Sequence, residues 1–202
     1  MENPQKMSDI KIKKKDSIWD IIKFMLLAFI IVIPIRMFIA QPFLVNGRSM
    51  DPTLKNHDYL IVDELSYHIR EPKRGEVIIF RFPGNTKEHF VKRLIGIPGD
   101  TIRIIDGTVT VITKDGKRVL LEEPYVKNHS YESLVDIVVP DGQLFVMGDN
   151  RSESYDSRMW RFLPRDLATG RALVRLYPFN NIDYLPGQHI YAEINNTNIN
   201  NN

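Results

Sequence analysis

The sequence predicts a mainly β protein: an antiparallel, partly closed β-sheet domain with an inserted hairpin-rich lobe, preceded by one transmembrane α-helix. Three observations predict it. Short β-branched and aromatic runs recur from residue 59 onward, separated by Pro-Gly and Asp-Gly pairs. No long amphipathic helical period interrupts them. Ahead of them stands an apolar block behind a cluster of lysines.

The block comes first in the chain. Lys11, Lys13, Lys14 and Lys15 precede an apolar stretch over 18–40, whose uninterrupted core runs from Phe24 to Ile35. That core alone is shorter than the roughly 20 residues a spanning helix needs. Lys23 and Arg36 flank it, and their long stems can carry the charges out to the interfaces. Counted from Trp19 to Ala40, one spanning helix fits, and Pro34 near its end is tolerable in a membrane. A cleaved leader is a poorer reading, because a cut after Ala40 would put bulky Phe38 at its −3 position. A buried core helix would leave the lysine cluster unexplained. The positive-inside rule keeps the lysines cytoplasmic and exports the chain from Gln41 onward.

The β-prone runs follow: Tyr59–Asp63, Glu76–Phe82, His89–Ile95, Thr101–Ile105, Thr108–Thr113, Val119–Glu122, Leu134–Val139, Gln143–Met147, Arg171–Tyr177 and Ile190–Ile194. Asp106-Gly107 and Asp115-Gly116 sit between such runs and predict tight hairpins. The expected organisation is a basic N-terminus (1–17), an anchor (18–40) and an extracytoplasmic domain (41–194) carrying an inserted β lobe at about 101–139. An asparagine-rich tail (195–202) is expected to be disordered. The 202 residues suit one domain with an insertion. The absence of cysteine excludes disulfides and thiolate metal sites, and a net charge of +2 points to no nucleic-acid partner.

Three segments carry the chemistry. NGRSMDPTL places Ser49 in a turn just behind the apolar block, without the second glycine of a G-x-S-x-G elbow. None of His57, His68, His89, His129 and His189 stands in a triad or metal-binding spacing, so a base for Ser49 must be sought among lysines and carboxylates. In HFVKRLIGIPGD a strand period of two puts Phe90, Lys92 and Leu94 on one face. A lysine between two apolar neighbours is pushed from its ordinary pKa of about 10.4 towards neutrality. Arg93 cannot serve, since guanidinium does not deprotonate. MGDNRSESYDSRMWRFLP supplies Ser154, Asp156 and Arg158, the last two suited to an ion pair that stiffens a loop. Taken singly, a turn serine, an edge-strand lysine and a solvated loop are ordinary features, and those readings stand beside the catalytic one.

Together the three segments resemble the type I signal peptidases, membrane-bound Ser–Lys dyad proteases of bacterial export. GRSMDPTL at 47–54 looks like that family's nucleophile box, KRLIGIPGDTIRI at 92–104 its lysine box and GDNRSESYDSR at 148–158 its third box; GEVIIF at 75–80 looks like a minor box. The resemblance implies Ser49 as nucleophile and Lys92 as general base, with Ser154, Asp156 and Arg158 in support. It implies apolar pockets formed by Phe43, Val45, Met50, Leu54, Phe90 and Val91. Substrates would be secretory preproteins with small residues at −1 and −3, cut in the bacterial plasma membrane without metal or organic cofactor. The lipid bilayer is an implied partner and the translocon a further candidate. Departures from the family pattern are Ser152, Glu153 and Arg161, while Gly47 stands where some members carry a serine. Two rival functions are a self-cleaving Ser–Lys protein and a catalytically inactive, membrane-anchored module that binds precursors.

Overall fold

The computed structural model describes residues 17–34 and 41–191. It divides into two compact units, one holding the single long helix and the other all the strands. The predicted tail and the basic N-terminus before Ser17 lie outside the described residues, as do 35–40 of the predicted anchor.

Helix α1 spans Ser17–Pro34, and proline, which lacks an N–H to continue the ladder, is its last residue. Over residues 18–30 its large apolar side chains are exposed, Ile18 at 70% and Phe24 at 71% among them. No helix among the described residues is long and apolar enough to cross a membrane. The predicted span counted on residues up to Ala40, whereas eighteen residues rise about 27 Å.

The second unit is antiparallel β throughout. Its large sheet contains β1 (Gln41–Leu44), β2 (Tyr59–Asp63), β3 (Val77–Phe82), β4 (Asn85–Gly96), β9 (Gln143–Met147), β10 (Leu163–Pro164), β11 (Ala168–Tyr177) and β12 (Asp183–Tyr184). The order is β1-β2-β11-β3-β4-β9-β10, with β12 against β11. The smaller sheet comprises β5 (Thr101–Ile105), β6 (Thr108–Ile112), β7 (Arg118–Leu120) and β8 (Leu134–Val138), ordered β7-β6-β5-β8. It occupies the stretch between β4 and β9, which pair with each other in the large sheet.

Asp106 and Gly107 both take positive φ, 46° and 78°, and join Ile105 to its partner Thr108 as a two-residue hairpin. At Asp115-Gly116 the turn is wider: the Thr113 N–H donates to the Lys117 carbonyl at 2.8 Å, and Gly116 takes φ 77°.

Two expectations need correction. The large sheet is not partly closed; it is open, and among the described residues no ladder joins β1 to β10. At one end β10 is two residues long and finishes in Pro164, which has no N–H to extend the sheet. The run Ile190–Ile194 is not a strand over its described residues. His189 N donates to the Gly75 carbonyl at 3.1 Å, and the Tyr191 hydroxyl bonds that of Tyr125, so this segment is held by isolated contacts. Beyond Tyr191 it lies outside the described residues. Two short helices escaped the strand pattern: α2 (Leu65–Ile69) and α3 (Ser157–Trp160).

Residues VIIF of β3 are buried on both faces. Val77 and Ile79 join a cluster with Val45, Met50, Leu54, Leu60, Val62 and Ala172, while Ile78 and Phe80 join another with Tyr67, Leu94, Leu144 and Val146. The sheet is therefore a wall between two cores, and strand β4 pairs along it.

Candidate active site

Strand β4 is paired on both edges only near its end. Arg93, Leu94 and Gly96 pair with β9, whereas 85–92 are hydrogen-bonded to β3 alone. Strand β1 likewise pairs only with β2. These two strands and the turn after β1 border a cleft of about 540 Å³, lined by Phe43, Val45, Ser49, His89, Phe90, Val91 and Lys92 among others.

Register places Lys92 opposite Ile78 and Val91 opposite Ile79, so the two side chains turn to different cores. Lys92 is 4% exposed, and Phe90 on the same face lies with its ring centroid 5.4 Å from Nζ. Nζ stands 2.6 Å from Ser49 Oγ and 3.1 Å from the Val91 carbonyl oxygen. Burial pushes the lysine pKa down to about 8. The carboxylates of Asp156 and Asp149 oppose that fall, and Arg158 assists it.

Ser49 is held from behind by the segment after β9. Asn150 N donates to the Ser49 carbonyl at 3.0 Å, and Asn150 Nδ2 donates to the Arg48 carbonyl at 3.0 Å. This approach requires Gly148. A Cβ there would collide with Ser154 Oγ and stand 2.5 Å from the Ser49 carbonyl oxygen.

Asp156 is fully buried. It caps α3 and accepts from Gly148 N at 2.9 Å, and Arg158 grips it through Nε at 2.9 Å and Nη2 at 3.0 Å. Arg158 Nη2 also donates to the Arg151 carbonyl at 2.6 Å, closing the loop on itself. Ser154 Oγ is buried with no hydrogen-bond partner among the described residues.

Arg93 turns away from Lys92 and is also fully buried. It makes a bidentate pair with Asp149, at 2.8 and 2.6 Å, beneath the ring of Tyr125 at 3.7 Å. Thus two adjacent basic residues take opposite fates: one is paired and stays charged, the other is dry and has no carboxylate in contact among the described residues.

A match to the family described as signal peptidase, peptidase S26, covers residues 18–177. The chain belongs to that signal peptidase family. A protein of Synechocystis sp. called Probable signal peptidase I-2 is 39% identical over 86% of this chain and 82% of its own. Signal peptidase I of Leptolyngbya laminosa is 37% identical, covering 81% and 82%. Signal peptidase I of Bacillus licheniformis is 36% identical over 84% of this chain and 94% of its own.

In this signal peptidase chain the predicted residues fall into three places. Ser49 and Lys92 meet at the cleft, and Phe43, Val45, Phe90 and Val91 line it. Met50 and Leu54 lie in the core, 1% and 0% exposed, packed with Val45. Ser154, Asp156 and Arg158 form the loop behind. Sequence reasoning missed Asn150, the Arg93–Asp149 pair, and His89 and Tyr155 on the cleft. Asn150 and Asp149 follow directly on a buried apolar strand, which is a poor place for solvated residues; that was the signal available.

Proposed function

We propose that this chain is a type I signal peptidase, a membrane-anchored serine endopeptidase that removes N-terminal signal peptides from exported preproteins. The observation that carries it is the 2.6 Å approach of Lys92 Nζ to Ser49 Oγ at the end of a cleft between two unpaired strand edges. An extended peptide can add to such edges through main-chain hydrogen bonds, its alternate side chains entering pockets. The apolar walls of Val45, Val91, Phe43 and Phe90 over a floor packed on Met50 and Leu54 suit small residues at −1 and −3.

In the reaction, neutral Lys92 Nζ accepts the Ser49 hydroxyl proton as Oγ bonds to the scissile carbonyl carbon. The Ser49 backbone N–H steadies the oxyanion. The C–N bond then breaks, and the Lys92 ammonium gives its proton to the departing amine. Water, deprotonated by the again neutral Lys92 amine, attacks the ester carbonyl; the C–Oγ bond breaks, Lys92 returns the proton to Ser49 Oγ, and the signal peptide carboxylate leaves. Ser154 orients the Lys92 amine, an engagement that would relieve its orphaned hydroxyl, while Asp156 and Arg158 hold the loop that presents it.

The exposed apolar side chains of α1 over 18–30 favour the membrane anchor expected from the sequence, with the lysine-rich end in the cytoplasm and the β unit outside the plasma membrane. The bilayer is then a partner, and the translocon the source of substrates. The test is cleavage of a precursor with Ala at −3 and −1 by the detergent-purified chain, with products read by mass. A single cut after the −1 alanine, lost in both Ser49→Ala and Lys92→Ala, supports the reading. Normal cutting by Lys92→Ala removes the proposed base, and binding without cutting by the unaltered chain favours a precursor-binding module.

A further inference from the structure

The smaller sheet does not stand apart from the site. Its connection from β7 to β8, over 121–133, runs back to the segment that follows β9. Three successive residues of that segment are held by it. Asp149 is paired to Arg93, whose guanidinium lies 3.7 Å from the centre of the Tyr125 ring. Asn150 Oδ1 accepts from Asn128 Nδ2 at 3.1 Å. Arg151 makes a two-point pair with Glu123, its Nη1 arm at 2.8 Å.

The connection is itself braced at both ends. Leu121 N donates to the Val109 carbonyl of β6 at 2.9 Å, and Val126 farther along is 5% exposed. Ser130 passes so close to the β5–β6 turn that a Cβ on Gly107 would stand 2.4 Å from the Ser130 carbonyl oxygen. Asn128 is therefore presented by a fixed segment, although its own side chain is exposed.

The Asn128 bond selects one of two orientations of a buried amide. The Arg48 carbonyl can only accept, so Asn150 must turn Nδ2 towards it and leave Oδ1 facing Asn128. Ser152 Oγ, the other donor at Oδ1, is farther away, at 3.4 Å. Without Asn128 the amide loses the close partner that holds Oδ1, and its grip on the carbonyl before Ser49 slackens.

We propose that Asn128 is a positioning residue for Ser49, acting through Asn150, so that the smaller sheet sets part of the site's geometry. Its effect on turnover rests on the signal peptidase reading; its hold on the Ser49 turn does not. Asn128→Asp, which accepts where Asn128 donates, draws Asn150 Nδ2 away from Arg48 and acts more strongly than Asn128→Ala.

The experiment has two readouts on the full chain in detergent. Cleavage of the precursor with Ala at −3 and −1 gives kcat and KM. Amide hydrogen exchange at Asp51 and Asn150 reports on the turn without turnover, since these N–H groups donate to the Arg48 and Ser49 carbonyls at 3.1 and 3.0 Å. In Asn128→Ala, kcat falls by about three- to tenfold with KM within about twofold. Both amides exchange about fivefold faster, while the Leu121 amide in the smaller sheet is unchanged. In an Asn150→Ala background the same substitution changes kcat by less than about twofold, because its path is already cut. An unchanged kcat, a loss carried by KM, full additivity with Asn150→Ala, a milder effect of Asn128→Asp, or unchanged exchange would each overturn the proposal. If the unaltered chain cuts no precursor, the peptidase reading fails and exchange alone decides: faster exchange upholds the hold on Ser49, and unchanged exchange ends it. Cleavage without any Asn128 effect sinks the proposal and leaves the peptidase standing.

Discussion

Asn150 holds Ser49 from behind: its backbone N–H donates to the Ser49 carbonyl and its side-chain amide to the Arg48 carbonyl, each at 3.0 Å. The turn bearing Ser49, the proposed nucleophile, is therefore fastened to the segment that also carries Asp156, and its position relative to Lys92 is set by two short links. A nucleophile displaced by about 1 Å loses about 100-fold in rate.

Asn150→Ala removes the Arg48 link and keeps the Ser49 one. Its expected effect is a kcat lower by roughly tenfold to 100-fold with KM much less changed, since the cleft walls are untouched. Unfolding free energy should fall by about 2–3 kcal/mol, because the buried side chain also accepts from Asn128 Nδ2 at 3.1 Å and that bond is lost with the Arg48 link. Steady-state kinetics beside a denaturant melt would show it. A loss carried by KM alone would contradict a positioning role.

The pH dependence follows from Lys92. A proposed base, Lys92 would work when neutral, and burial places its pKa at about 8, so kcat/KM should climb tenfold per pH unit below that value and level off above it. Lys92→Arg keeps charge and length but cannot release a proton, and should be inactive at every pH. A profile that is flat from pH 6 to 9 would exclude Lys92 as the base.

The same shift is a statement about stability. In the folded chain Lys92 gives up its proton near pH 8, in the unfolded chain near 10.5, so between those values the unfolded state binds more protons. Stability from this group therefore rises with pH across that window, by about 3 kcal/mol in all. Lys92→Met, which cannot titrate, should melt well above the unaltered chain at pH 7, and the gap should shrink steadily towards pH 10.5. A gap that does not depend on pH would mean the lysine is solvated.

Arg161 ends α3 with φ 76° and ψ −93°, a backbone state that a side chain resists and glycine does not. Arg161→Gly should stabilise the chain by about 1 kcal/mol, the relief of that strain exceeding the entropy glycine adds to the unfolded state. Thermal melts of the two chains decide it.

Much of the site was legible because its signals are local. Ser49 in its turn, Lys92 between Phe90 and Leu94, and the Asp156–Arg158 pair two residues apart all follow from spacing along a strand or loop. So do the antiparallel class and the Asp106-Gly107 hairpin, which depend on period two and on residues that tolerate positive φ. Strand β1, by contrast, is four residues including Pro42, and nothing local marks it as the far wall of a cleft.

The sequence by itself determined which side chains could do chemistry, because residue type sets pKa, nucleophilicity and backbone preference. Only the tertiary structure decided that Lys92 is dry while Arg93 beside it is paired, because Asp149 arrives from the segment after β9. It also decided that Met50 and Leu54 face the core and that Phe43 meets His89 across the cleft. Those outcomes depend on how β1, β4 and the segment after β9 pack together, and long-range packing leaves no trace in the spacing of any one segment.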